Sequence, residues 1–147
     1  MKMGDKRYKI GFTSGVFDMF HIGHLNILRR AKELCEVLIV GVSTDELTLS
    51  YKKHLPIIPF EQRKAIVEAI RYVDRVVPQE SLDKMVLWEK LHFDVMFHGK
   101  EWQGSELYNE YERWFGKIGV KIEYLPTTDG VSSRQLASII KNAVDYN

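Results

Sequence analysis

A single cysteine, Cys35, leaves this 147-residue chain unable to close an internal disulfide, so its covalent chemistry gives no argument for secretion. Cys35 lies in an apolar stretch and reads as a buried core thiol. Long hydrophobic runs are missing as well. The strongest, residues 37–42, falls far short of a membrane span, and residues 1–9 are polar, without the apolar core of a signal peptide. A cytoplasmic protein with no membrane partner is expected. Charge of one sign is also scarce: Lys plus Arg number 21 against 20 Asp plus Glu, leaving +1. That balance excludes the global electrostatic footprint of a nucleic-acid binder, so any anionic ligand has to be held locally. Repeats, low-complexity tracts and linkers are absent, and the length suits one domain spanning residues 1–147.

What is present is alternation. Short runs rich in Val and Ile, at residues 9–13, 37–43, 73–77, 95–98 and 121–125, predict strands. Between and after them, residues 22–34, 61–70, 82–91, 107–118 and 133–144 place apolar side chains at helical intervals. The pattern predicts an α/β fold, a three-layer α/β/α arrangement around a five-stranded parallel sheet. Residues 49–59, with two prolines and two lysines, break the periodicity and are expected to be a loop. In open parallel sheets ligands sit beyond the carboxyl ends of the strands, so the residues just after each strand carry the functional interest.

After the first strand the chain reads Ser14-Gly15-Val16-Phe17-Asp18-Met19-Phe20-His21-Ile22-Gly23-His24 and runs straight into an apolar helical pattern. His21 and His24, three residues apart, share one face of the first helical turn. That end of a helix offers unpaired N–H groups and partial positive charge, a natural seat for phosphate, and imidazole adds a further donor. Gly23 allows a ligand or a backbone to come close. Two other readings stand beside this one: the histidines merely cap the helix, or they ligate zinc, for which no third and fourth ligand appear at recognisable spacing.

The run from Gly15 to His24 resembles the GTFDxxHxGH signature of the cytidylyltransferase family, a group of HxGH nucleotidyltransferases, and the likeness is greatest to its glycerol-3-phosphate branch. The resemblance implies a Rossmann-like fold, a homodimer and transfer of CMP from CTP to a small phosphorylated acceptor, glycerol 3-phosphate or a similar phospho-alcohol, with release of pyrophosphate. It implies His21, His24 and Lys53 as catalytic residues, with Gly15, Val16, Phe17, Asp18 and Gly23 at the nucleotide. Magnesium would bridge triphosphate oxygens without a dedicated set of protein ligands. ATP in place of CTP, as in related adenylyltransferases acting on phospho-sugars, and a nucleotide-binding sensor without catalysis are the competing readings.

Later segments extend the likeness. Ser43-Thr44-Asp45-Glu46 resembles an STDE stretch that places Asp45 near the acceptor, although Ser43 or Thr44 also suits a helix N-cap. Lys52 and Lys53 fall where the family has lysines that reach phosphate, with Lys53 the stronger candidate. Ile70-Arg71-Tyr72-Val73-Asp74 is similar to the RYVDEV block, making Arg71 a candidate for the acceptor phosphate; Arg63 reads as structural. Gly99-Lys100-Glu101-Trp102 resembles the GDDW loop and places Gly99 and Trp102 beside the nucleoside, but Lys100 and Glu101 replace two acidic residues. Thr127-Thr128-Asp129-Gly130-Val131-Ser132-Ser133-Arg134 resembles the RTxGIST segment, which implies nucleotide contacts by Thr127, Gly130, Val131, Ser132 and Ser133. Thr127 stands where an arginine is usual, and Arg134 is a candidate to supply that charge. Val16 likewise replaces a threonine.

Overall fold

The computed structural model describes residues 6–146; the first five residues of the polar amino-terminal stretch and residue 147 lie outside it. Five strands, β1 (Tyr8–Gly15), β2 (Cys35–Ser43), β3 (Arg75–Gln79), β4 (Val95–Gly99) and β5 (Lys121–Leu125), form one all-parallel sheet in the order β3-β2-β1-β4-β5. The helices are α1 (Ile22–Leu34), α2 (Asp45–Lys52), α3 (Phe60–Glu68), α4 (Lys84–Leu91), α5 (Glu106–Gly116) and α6 (Ser133–Tyr146), with a 3-10 turn at Lys100–Trp102. This is the α/β fold with a five-stranded parallel sheet that the alternating pattern predicted, and the Rossmann-like arrangement that the resemblance implied.

The central strands are apolar on both sides because helices cover both faces of the sheet. On one face Leu28 and Ala31 of α1 and Val67 of α3 pack on Leu38, Val40, Val42, Val95 and Phe97. On the other, Leu87 of α4 and Tyr108, Tyr111 and Phe115 of α5 pack on Phe12, Ile39 and Met96. Side chains two apart on a strand share a face, so Ser14 follows Phe12, and His98 follows Met96, onto the α4/α5 side. Among the described residues no helix is long and apolar enough to cross a membrane.

Several boundaries differ from the sequence pattern. β1 and β2 begin before, and β1 ends after, their apolar runs, because pairing in register from Tyr8↔Cys35 to Gly15↔Val42 carries polar residues and glycines into the ladder. β3 starts at Arg75 rather than residue 73: Val73 is still in the turn after α3, where its N–H bonds the Ile70 carbonyl. The expected loop at residues 49–59 is overturned in its first part. Thr44 caps α2 by accepting from the Leu47 N–H at 3.1 Å, Asp45 and Glu46 favour its amino end, and Lys53 closes it in a left-handed conformation, φ 66°.

β1 and β4 lie side by side, yet the chain leaves them towards opposite edges of the sheet, to β2 and to β5. A crevice opens at their carboxyl ends, as expected where strand order reverses.

Candidate active site

The crevice is lined by Thr13, Ser14, Gly15, Val16 and Phe17 from the end of β1, His24 and Ile27 from α1, and His98, Gly99 and Glu101 from the end of β4. Phe17 and Met19 take left-handed backbone conformations, φ 54° and 48°, in the turn from β1 to α1. Such conformations cost roughly 1–3 kcal/mol each for side-chain-bearing residues and gather at functional turns.

His21 is the N-cap of α1. Its Nδ1 accepts the Gly23 N–H at 3.0 Å, and the Nδ1 of His24 accepts the His21 N–H at 3.2 Å. With both Nδ1 atoms occupied as acceptors, each neutral ring carries its proton on Nε2, where it is a donor. The rings stack with centroids 3.8 Å apart, and His24 also packs against Phe17 and Phe20. Burial holds the His24 imidazole far below its ordinary value, at about 3, helped by His21 and by the ammonium of Lys52; burial also lowers His21. Both rings are therefore neutral donors at neutral pH. Gly23 is explained by its neighbour: a Cβ there would meet the His21 ring at 2.9 Å, with Val131 at 3.5 Å on another side.

Several predicted residues hold the frame around these rings. The Asp18 carboxylate accepts from the backbone N–H groups of Ile57 and Ile58 at 2.8 and 2.9 Å, pinning the loop after α2 to the β1–α1 turn. The Ser133 hydroxyl donates to the Asp18 carbonyl, joining the start of α6 to the same turn, and Ser132 caps α6 through the Gln135 N–H at 3.0 Å. Gly130 supplies a left-handed turn, φ 81°, between β5 and α6. Thr127 and Arg134 are exposed, and Arg134 has no ion-pair partner among the described residues. Trp102 lies edge-on to His98, which lines the crevice, with centroids 5.6 Å apart.

Three of the expected residues engage other partners in this structure. Asp45 is not turned to the crevice: one carboxylate oxygen binds the guanidinium of fully buried Arg63 at 2.6 Å and the other accepts the Phe60 N–H. Arg63 also donates to the carbonyls of Val16, Ser43 and Ile58, so this ion pair braces the whole rim. Arg71 lies in the turn that precedes β3, at the amino-terminal edge of the sheet and away from the crevice, with its guanidinium against Tyr72. Lys53 turns its ammonium to the Ser50 carbonyl at 2.8 Å; it is Lys52 whose charge reaches His24.

The sequence pattern passed over Lys84. It is 6% exposed and donates to Ser14 Oγ at 2.7 Å and Gln79 Oε1 at 3.2 Å. One local signal was available: a cation in the first turn of a helix opposes the helix dipole, and such local conflict marks functional positions.

A family model described as Cytidylyltransferase-like matches residues 12–143. The chain belongs to the cytidylyltransferase-like family. Among relatives, it is 36% identical over 131 residues to glycerol-3-phosphate cytidylyltransferase of Bacillus subtilis, covering 84% of this chain and 91% of that one. The Staphylococcus aureus enzyme of the same name is 38% identical over 126 residues, covering 84% and 89%. A crystal structure of the lipopolysaccharide core biosynthesis protein from Thermoplasma volcanium matches with a TM-score of 0.68 at 25% identity, covering 82% of this chain and 97% of that one. In this cytidylyltransferase-like chain, His21 and His24 lie where the start of α6 is tied to the turn between β1 and α1.

Proposed function

We propose that this chain, as a single cytoplasmic domain assembling into a homodimer, transfers CMP from CTP to glycerol 3-phosphate and releases pyrophosphate. The observation that carries the reading is the stacked pair His21 and His24, two neutral imidazoles presenting Nε2–H donors at the mouth of α1. Glycerol 3-phosphate and the cytidylyl group are those in the names of the relatives from Bacillus subtilis and Staphylococcus aureus.

In this reading an oxygen of the acceptor's phosphate attacks the α-phosphorus in line. The new P–O bond forms as the bond to the β-phosphate bridging oxygen breaks, and pyrophosphate leaves with that electron pair. No protein nucleophile is needed, so the work is positioning and charge neutralisation. His21, His24 and the start of α1 face the triphosphate, and Lys52, with Lys53 beside it, adds positive charge. Gly15, Val16 and Phe17 supply backbone to the crevice wall, and Gly99 and Trp102 border the nucleoside. Ser132, Ser133 and Arg134 approach from α6, while Thr127, Gly130 and Val131 shape the turn before it.

Magnesium belongs to the same reading. Among the described residues no group of three His, Cys, Asp or Glu is placed to hold a metal, and Glu101 is the carboxylate lining the crevice. That donor set fits an ion carried mainly by phosphate oxygens and water, with Glu101 able to hold it from the protein side. When bound, such an ion neutralises charge on the triphosphate.

The test is pyrophosphate release with each of the four nucleoside triphosphates against a panel of phosphorylated acceptors. Turnover confined to CTP and glycerol 3-phosphate is expected. Turnover with ATP and a phospho-sugar moves the assignment to adenylyl transfer, and silence with CTP still bound makes the protein a sensor.

A further inference from the structure

The segment between β5 and α6 runs antiparallel along α1. Arg30 donates to the Pro126 carbonyl at 2.8 Å, and Asn26 Nδ2 donates to Thr128 Oγ1 at 2.9 Å. Nearer the cap of α1, Val131 lies beside Gly23, and the Ser133 hydroxyl donates to the Asp18 carbonyl. These ties matter because apolar packing does little for α6. Among the described residues none of its side chains belongs to either core, and Ile139 and Ile140 are 57% and 50% exposed. A lone helix of 14 residues is marginal in water. The place of its start, with Ser132, Ser133 and Arg134, is therefore set by the polar line along α1.

Asn26 is a middle member of that line. The Arg29 guanidinium donates to its Oδ1 at 3.3 Å, which turns the Nδ2 group towards Thr128. Asn26 and Thr128 are both half-buried, where a hydrogen bond is partly shielded from competing water. Asn is a weak helix former because its side chain competes for backbone bonds, so its place inside α1 is explained by what it reaches and not by propensity. We propose that Asn26 is a positioning residue for the nucleotide: by holding Thr128 it fixes the β5–α6 segment along α1, so that Ser132, Ser133 and Arg134 meet the triphosphate. The inference rests on the transferase reading and adds to it the contact that keeps the start of α6 at the crevice.

The experiment compares Asn26→Leu, Thr128→Val, the double variant and Asn26→Asp, with CTP and glycerol 3-phosphate varied independently. Asn26→Leu and Thr128→Val each remove the bond with little change of shape. Each is expected to raise the KM for CTP about 3- to 10-fold, the worth of one hydrogen bond between neutral groups. The KM for glycerol 3-phosphate stays within about twofold, and the double variant is no worse than the more damaging single one, because the two side chains act as a unit. Asn26→Asp keeps the contact, its carboxylate accepting from Arg29 and from the Thr128 hydroxyl, and is expected to restore most of what Asn26→Leu loses. A merely structural lesion lowers the folded fraction, and with it kcat, but leaves both KM values alone. Should Asn26→Leu fail to fold, Thr128→Val and Asn26→Asp carry the comparison. An unchanged KM for CTP, equal rises for both substrates, or a double variant equal to the product of the singles overturns the proposal. Calorimetric titration of CTP into wild type and Thr128→Val reads the same contact without turnover. A wild type that releases no pyrophosphate yet binds CTP more tightly than Thr128→Val removes the assigned reaction and keeps the inference; equal CTP binding by the two proteins, or none by wild type, overturns it.

Discussion

His21 and His24 hold each other in place: the His24 ring accepts the His21 backbone N–H while the two imidazoles stack with centroids 3.8 Å apart. This reciprocal cap fixes the Nε2–H of each ring as the free donor, which suits the pair to the phosphate contact proposed for it. His24→Ala removes one of those donors. Turnover is expected to fall on the order of 100- to 1000-fold with the far-ultraviolet circular dichroism unchanged. Steady-state pyrophosphate release gives the number, and a loss of only a few-fold ends the proposed role.

The same burial makes the protein acid-sensitive. The folded His24 takes a proton only near pH 3, but the unfolded chain takes it near the ordinary 6.5. Between those values the unfolded state binds more protons, so this contribution to stability is whole above about pH 6.5 and is lost as pH falls towards 3. His98, held by burial at about 4, adds a loss of the same sign. His24→Asn is expected to show a smaller drop in melting temperature between pH 7.5 and pH 4.5 (roughly the span between the two histidine states) than wild type, with the His98 part remaining. Equal drops in the two proteins count against a neutral, buried His24.

How far the site was legible follows from which physical signals are local. α1 was read with its observed bounds because its cap residues and its apolar period both lie in adjacent sequence. Asp18 and Asp45 were visible as acidic residues at motif positions, but their partners, Ile57, Ile58 and Arg63, are 39, 40 and 18 residues away, and no local pattern reports such contacts. The α2 helix was hidden for a different reason: two prolines just beyond it broke the periodicity that its eight residues had little length to establish. Lys84 was hidden because lysine in a helix reads as solvent-facing, and only the fold places it beneath Ser14.

Arg63 and Asp45 supply the clearest stability prediction. The guanidinium is fully buried and spends its donors on three carbonyls and one carboxylate drawn from four segments of the rim. Arg63→Met leaves the Asp45 carboxylate and those carbonyls without their donor. Breaking a fully buried pair on one side costs about 3–5 kcal/mol; the Asp45 side chain is 32% exposed, so the loss is expected at the lower end of that range or below it, read from urea unfolding midpoints. Arg63→Met combined with Asp45→Leu is expected to recover part of it, since the stranded charge is gone; no recovery means that the carbonyl contacts, rather than the ion pair, dominate.

Gly23 separates site geometry from stability. A methyl group there meets the His21 ring at 2.9 Å and must push it from its cap position, but a side chain is movable where backbone is not. Gly23→Ala in the first turn of a helix gains up to about 1 kcal/mol of helix propensity, which offsets much of the lost cap bond. The expected outcome is a melting temperature close to wild type with turnover reduced on the order of tenfold or more, because a donor displaced by even a fraction of an ångström is misaligned for the transition state. A variant as active as wild type means that the His21 ring has another position from which it works.

We propose that Arg134 supplies the charge that Thr127 lacks. Thr127 begins the turn after β5 and Arg134 lies in the first turn of α6, so both border the loop whose Gly130 and Ser133 bring it onto the β1–α1 turn. The exposed guanidinium has no carboxylate to neutralise it among the described residues, which leaves it available to a phosphate. Arg134→Ala is expected to lower turnover on the order of 100-fold with little change in melting temperature, since nothing buried is disturbed. Introducing Thr127→Arg into that variant returns the charge to the other end of the same loop and is expected to restore much of the rate. Turnover of Arg134→Ala within a few-fold of wild type overturns the compensation, and a loss that Thr127→Arg does not repair means that the position of the charge, and not its presence, is what the reaction needs.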